Sequence, residues 1–129
     1  QTGLVTETSL WLGIALGMLS TAILVVNNIR DMETDIVTGK RTLAVRFGKN
    51  FSQFEFLILV IIPFFIPLFM WWNTIDNLSL LLVLFSLPIA VHLIIQLFSK
   101  SGRELNNVLA STARFLFIFA LLFSLGLIL

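Results

Sequence analysis

The chain has 129 residues, 58% of them apolar and only 12% charged, with a mean hydropathy of +1.04. Soluble domains run at about 45–50% apolar and about 25% charged, so this composition excludes a water-soluble globular domain, and a disordered chain would need the opposite bias. A net charge of +1 gives no electrostatic case for a nucleic-acid partner, and the absence of cysteine excludes disulfides and thiolate metal sites.

Gaps between charged residues set the organisation. Residues 8–29, 56–75 and 77–99 carry no charge, and from 105 onward Arg114 is the only one. A helix needs about 20 mainly apolar residues to cross roughly 30 Å of hydrocarbon, and all four stretches qualify. The predicted fold class is therefore all-α, a polytopic transmembrane helical bundle in the lipid bilayer, with spans near 8–29, 54–73, 78–98 and 105–128. These runs are too long for barrel strands of about 10 residues and do not alternate.

The first span follows Gln1-Thr2-Gly3, which has no basic leader and does not read as a signal peptide. The chain reads instead as part of a longer membrane protein. Within this span Gly13 and Gly17 form a small-xxx-small pair that would let another helix approach closely.

After the first span comes the polar segment 27–50, which carries the chemistry. Asn27, Asp31 and Asp35 are spaced i, i+4, i+8 and line one face of a helix leaving the membrane. Asn28 lies beside that row and Glu33 points elsewhere. Stacked carboxylates repel unless a cation sits between them, and Mg²⁺ suits such a site, being held by one or two carboxylates, waters and substrate phosphates. Lys40, Arg41 and Arg46 follow and offer donors to phosphate oxygens. This arrangement fits a lipid diphosphate clamped at the interface with its isoprenoid tail among the helices. The ion and the bases would stabilise charge developing on the departing diphosphate. The plain alternative is a solvated loop whose acids and bases pair.

In the later spans, Pro63, Pro67 and Pro88 predict kinks whose freed carbonyls neighbours re-satisfy. Glu55 sits near the interface, where a solvated carboxylate needs no special role. Trp71-Trp72 reads as an interfacial anchor. His92 and Gln96, i and i+4, read as an interhelical hydrogen bond rather than a ligand pair. Asn107, Ser111 and Arg114 form a polar stripe on the last span. Arg114 lies roughly 14 Å along that helix from Leu105, a depth at which a charge should face a cavity or a partner. The acceptor's carboxylate or the diphosphate is the functional partner expected for it, Glu55 or helix carbonyls the structural one. Basic residues fall in two connections, with Arg30, Lys40, Arg41, Arg46 and Lys49 in one and Lys100 and Arg103 in the other. The connection at 73–77 holds only Asp76. The positive-inside rule places the basic connections in the cytoplasm and both chain ends opposite.

The string NNIRDMETDIVTGKRTLAVRFG resembles the second aspartate-rich motif of UbiA-type intramembrane prenyltransferases. NN-x-RD before the aspartates and GKRTLAVR-x-G after them are most similar to the 1,4-dihydroxy-2-naphthoate branch. Gln1-Thr2-Gly3, Glu104-Leu105-Asn106 and Thr112-Ala113-Arg114 also match, so the resemblance covers nearly the whole chain. It implies the last four helices of a nine-helix fold, the first aspartate-rich motif belonging to the other half. This chain alone would hold half a site and is expected to be inactive. The resemblance further implies that Asp31 and Asp35 hold Mg²⁺ against a polyprenyl diphosphate. Asn27, Asn28, Arg30, Lys40, Arg41, Arg46 and Arg114 are the matching or neighbouring substrate-binding candidates. The implied reaction transfers the polyprenyl group to an aromatic acid, giving demethylmenaquinone in the naphthoate branch. Rivals are another acceptor (4-hydroxybenzoate, homogentisate or a porphyrin-type ring), a CDP-alcohol phosphotransferase, whose DG-x2-AR element is absent, and a non-enzymatic bundle or transporter half.

Overall fold

The computed structural model describes residues 2–73 and 78–129. Among the described residues every regular element is helical. Helix α1 spans Thr2–Arg30, and after Asp31 come two short helices, α2 (Met32–Thr38) and α3 (Leu43–Phe47). Helix α4 covers Lys49–Asn73, a 3₁₀ segment covers Leu78–Ser86, α5 covers Leu87–Ser99 and α6 covers Leu105–Ile128. Four stretches are long and apolar enough to cross a membrane: Glu7–Arg30, Lys49–Asn73, Leu78–Ser99 and Gly102–Ile128. These match the four charge-free gaps, the second beginning five residues before the expected 54. Gln1 and the connection 74–77, with Asp76, lie outside the described residues.

Each span buries one stripe. On α1 the stripe is Ala15, Leu19, Ala22, Val26 and Ile29; on α6 it is Leu105, Val108, Thr112, Phe115, Phe119 and Phe123. Steps of three and four keep such residues on one face of a helix with about 3.6 residues per turn. Phe64 of α4 meets the α6 ladder edge-on at Phe119, with centroids 5.3 Å apart and planes at 88°. That arrangement sets ring edges against ring faces, the favoured geometry for aromatic pairs. Thr112 and Ser86 are fully buried, and each hydroxyl donates to its own helix, to the carbonyls of Val108 and Val83 at 2.7 Å. No polar atom of theirs is left bare in the core.

The third span departs from a plain α-helix. Its first nine residues, Leu78–Ser86, are 3₁₀, whereas such runs seldom exceed three or four residues. Leu80, Val83 and Ser86 are its buried positions, three apart, as three residues per turn require. Pro88 therefore does not kink a continuous helix. It stands in the first turn of α5, where a missing N–H costs nothing. At the other end of the bundle the 3₁₀ segment lies hard against α6: a Cβ on Gly126 would sit 2.7 Å from the Ser79 carbonyl oxygen and 3.1 Å from the Leu80 Cα. Pro63 and Pro67 lie inside α4, buried, and the helix continues through both.

Gly13 and Gly17 have open space where a Cβ would stand, so among the described residues no helix uses the approach they allow. The His92 side chain is exposed and makes no hydrogen bond to Gln96 or to another side chain among the described residues. The expected interhelical bond is not formed, because this face of α5 is turned away from the other three spans. Trp72 is 78% exposed at the end of α4, packed edge-on against Trp71 with centroids 6.4 Å apart, as an interfacial anchor would be.

Candidate functional site

The motif segment folds by ordinary turn chemistry. The amide of Asp31 donates to the Asn27 carbonyl at 3.1 Å, and that of Asp35 to the Asp31 carbonyl at 2.8 Å. The i, i+4 register thus passes through the one-residue break between α1 and α2, and the Asn27–Asp31–Asp35 row exists as a helical face. At Gly39 the backbone turns left-handed, φ 83°. The Lys40 amide then closes on the Asp35 carbonyl at 2.9 Å and the Gly39 amide on the Ile36 carbonyl at 3.4 Å. Those two bonds form a Schellman cap. Thr42 caps α3, its hydroxyl accepting from the Val45 amide at 3.3 Å. Gly48, φ 93° and ψ 171°, releases the chain into α4 through a conformation open in practice only to glycine. The glycines and Thr42 of TGKRTLAVRFG thus build the turn that follows the acids.

Arg30 organises the row. Its Nε donates to Asp31 Oδ1 at 3.0 Å and its Nη2 to Asp31 Oδ2 at 3.1 Å, a two-point grip on one carboxylate. Nη2 also donates to Asn27 Oδ1, and Nη1 donates to Asn106 Oδ1 at 3.0 Å. Four of the five guanidinium N–H groups are therefore engaged, and one of these bonds ties the end of α1 to the start of α6. The Arg30–Asp31 pair is the one ion pair among the described residues. Hydrogen bonding from Arg30 holds the Asp31 carboxyl below its ordinary range, against an opposing effect of partial burial, and the charges of Arg30 and Lys40 add to the lowering.

Asp35 is placed differently. It is buried at 7% exposure, and its Oδ2 has no hydrogen-bond partner. A buried, unpartnered carboxylate oxygen is costly, and it stands one turn beyond a carboxylate already fixed. Among the described residues no three metal-ligating side chains cluster. The chain itself therefore offers two carboxylates, enough for Mg²⁺ when waters and substrate phosphates complete its shell. The donor set fits that ion: hard oxygens alone, one with a vacant lone pair in a buried position.

The other expected residues fall into two groups. Lys40, Arg41 and Arg46 are exposed on the α2–α3 turn and its flank, and Asn28 is half-buried beside the row. Arg114 is not brought to the motif. It lies eight residues beyond Asn106, roughly 12 Å farther along α6, exposed on the outward side of the bundle with Asn107. No carboxylate pairs with it among the described residues, Glu55 included. Next to it, Ala113 and Phe117 form with Leu16 and Ser20 of α1 an open groove of about 430 Å³. Asn106 is the site residue that spacing does not reveal, since its partner Arg30 is 76 positions away.

The UbiA prenyltransferase family model matches residues 1–122. The chain belongs to the UbiA prenyltransferase family. It is 34% identical over 113 residues to 1,4-dihydroxy-2-naphthoate octaprenyltransferase of Haemophilus influenzae, covering 87% of this chain and 37% of that protein. It is 33% identical over 129 residues to UbiA prenyltransferase domain-containing protein 1 of Xenopus tropicalis, covering 100% of this chain and 36% of the relative. The human protein of the same name is 34% identical over 116 residues, covering 90% and 33%. The chain thus spans about a third of the length of the curated relatives it matches. As a UbiA member with four helices long and apolar enough to cross a membrane among the described residues, it is a multi-pass membrane protein.

Proposed function

We propose that this chain supplies the second carboxylate motif and the last four helices of a UbiA prenyltransferase. Its full-length form would move a polyprenyl group from an allylic diphosphate to 1,4-dihydroxy-2-naphthoate, releasing diphosphate and the ring carboxylate as CO₂ and giving a prenylated naphthoquinol, the reduced form of demethylmenaquinone. The buried, unpartnered Oδ2 of Asp35 beside the Arg30-gripped Asp31 carries this reading. Both aspartates would hold Mg²⁺, which when bound supplies charge neutralisation for the diphosphate. Arg30 keeps Asp31 ionised and oriented, with Asn27 bracing the guanidinium. Lys40, Arg41 and Arg46 meet the outer phosphate oxygens from the α2–α3 turn, and Asn28 flanks the head group. The apolar spans shield the allylic carbon from water as the C–O bond to diphosphate breaks and the electron-rich ring attacks. The acceptor is proposed from the naphthoate name of the Haemophilus relative, matched at 34% identity.

The remaining helices of the protein would close over the outward face of α1 and α6. Gly13, Gly17, Asn107 and Arg114 all lie exposed there. A charge at Arg114's depth costs about 2.5–3.5 kcal/mol in hydrocarbon even on the lenient scale, so a protein-lined cavity is its natural setting. There it would attract the carboxylate of the aromatic acid. Both basic connections reach one end of the bundle, where Arg30, Lys49 and Arg103 line a common recess. That end would face the cytoplasm of a cell-membrane enzyme.

The test is turnover by the full-length protein with Mg²⁺, a polyprenyl diphosphate and a panel of aromatic acids. Prenylated naphthoquinol is the expected product, lost on chelation and lost at least a hundredfold in Asp31→Ala or Asp35→Ala, as for removal of a principal charge-stabilising group. Activity surviving both substitutions would remove the metal assignment, and preference for another ring would move the acceptor.

A further inference from the structure

The first, second and fourth spans end at one recess that the carboxylate row does not use, and Ser101 reaches it two residues past the end of the third. Arg30 closes the first span, Lys49 opens the second, Ser99 closes the third and Gly102 opens the fourth. A cavity of about 300 Å³ lies among these ends, lined by Arg30, Glu33, Lys49, Ser101, Gly102 and Arg103. Its α2 wall is Met32, Glu33 and Thr34; neither Asp31 nor Asp35 lines it. Ile29, within the first span, and Met32 of α2 add apolar surface to it. The left-handed turn at Gly102, φ 59°, carries Ser101 and Arg103 to its rim.

Charge in the recess is unbalanced. Arg30 is answered by Asp31, but Lys49 and Arg103 have no ion-pair partner among the described residues. Glu33 is the one acid in the lining. Two uncommitted cations, two hydroxyls (Thr34 and Ser101) and the apolar Ile29 and Met32 match a phosphate ester whose organic part continues into hydrocarbon. Span ends mark the depth of the lipid head groups, and basic pockets between helices at that depth recognise anionic head groups. We propose that this recess binds the phosphate of an anionic membrane lipid from the adjacent leaflet. This site adjoins the proposed metal site through Arg30 but shares no carboxylate with it.

The test uses the full-length protein in nanodiscs of mixed phosphatidylcholine and phosphatidylglycerol, with retained lipid counted by native mass spectrometry. Wild type should retain phosphatidylglycerol preferentially, and Lys49→Gln with Arg103→Gln should cut that preference about thirtyfold, as loss of two surface cations predicts. Glu33→Gln should raise it, a gain that misfolding does not imitate. Asp35→Ala, at a residue that neither lines the recess nor touches Arg30, should leave it unchanged even where prenyl transfer is lost, which separates this site from the catalytic reading. Equal retention of both lipids by wild type, or full selectivity in the double variant, overturns the proposal. In a second arm, inorganic phosphate is titrated into pure phosphatidylcholine discs and into the mixed discs. Saturable binding that displaces phosphatidylglycerol would assign the recess to a soluble phosphate and overturn the lipid source.

Discussion

Arg30 and Asp35 are one turn of chemistry apart and are held in opposite ways. Arg30 is engaged by Asp31, Asn27 and Asn106, while Asp35 keeps a buried oxygen with nothing to accept. The first consequence concerns acid. Because the Asp31 carboxyl lies below its ordinary value of 3.8, its stabilising contribution is complete above that value. It is lost only as pH falls through the lowered one. Arg30→Gln removes the cause, so Asp31 should titrate near its ordinary value, and the variant should unfold at a higher pH than wild type when acid denaturation is followed by circular dichroism. Coincident acid transitions would show that the grip does not perturb Asp31. The row itself is legible in the sequence, since Asn27, Asp31 and Asp35 need only the helical period to align. What Arg30 does is not legible. Its carboxylate partner is adjacent, but its α6 partner, Asn106, is reached only after the chain has crossed the membrane three times, and a basic residue before an acid reads as loose pairing until that fold is known.

Glycines separate two kinds of constraint at the level of elements. Gly39 has open space around it but a φ of 83°, and Gly126 lies in the ordinary negative-φ region but has a backbone atom 2.7 Å from where its Cβ would stand. Gly39→Ala should therefore cost about 1–2 kcal/mol through conformation alone. Gly126→Ala should cost about 1–3 kcal/mol through overpacking, because a carbonyl and a Cα cannot step aside as a side chain can. Thermal unfolding in detergent would distinguish them: Gly39→Asn should recover part of the loss, since asparagine tolerates the left-handed region, whereas no larger residue recovers Gly126. The four spans are legible because hydrocarbon excludes charge. The 3₁₀ character of Leu78–Ser86 is not, as nine residues with almost no polar contrast display no period. Pro88, read as a kink, in fact marks where the α-helix of the third span begins.

For the whole molecule, the outward face of α1 and α6 and the sidedness of the bundle are the open consequences. Lys100→Cys, in a full-length background cleared of cysteine, should react with an impermeant maleimide only from the cytoplasmic side; labelling from the opposite side would invert the proposed topology. Arg114→Lys keeps the charge but loses the planar fork, and should raise the KM for the aromatic acid about tenfold, the weight of one charge-assisted hydrogen bond. Unchanged turnover and acceptor affinity would remove Arg114 from the site. The nine-residue 3₁₀ segment has a consequence of its own. At ~2.0 Å per residue it reaches ~18 Å, where the same residues coiled as α-helix would reach ~13.5 Å. The difference, ~4.5 Å, is of the order of that between thin and thick biological bilayers. The stretched segment lets 22 residues cover a depth that would otherwise demand three more, and relaxing it into α-helix would shorten the third span to ~33 Å, leaving it no length to spare for tilt in a thick membrane.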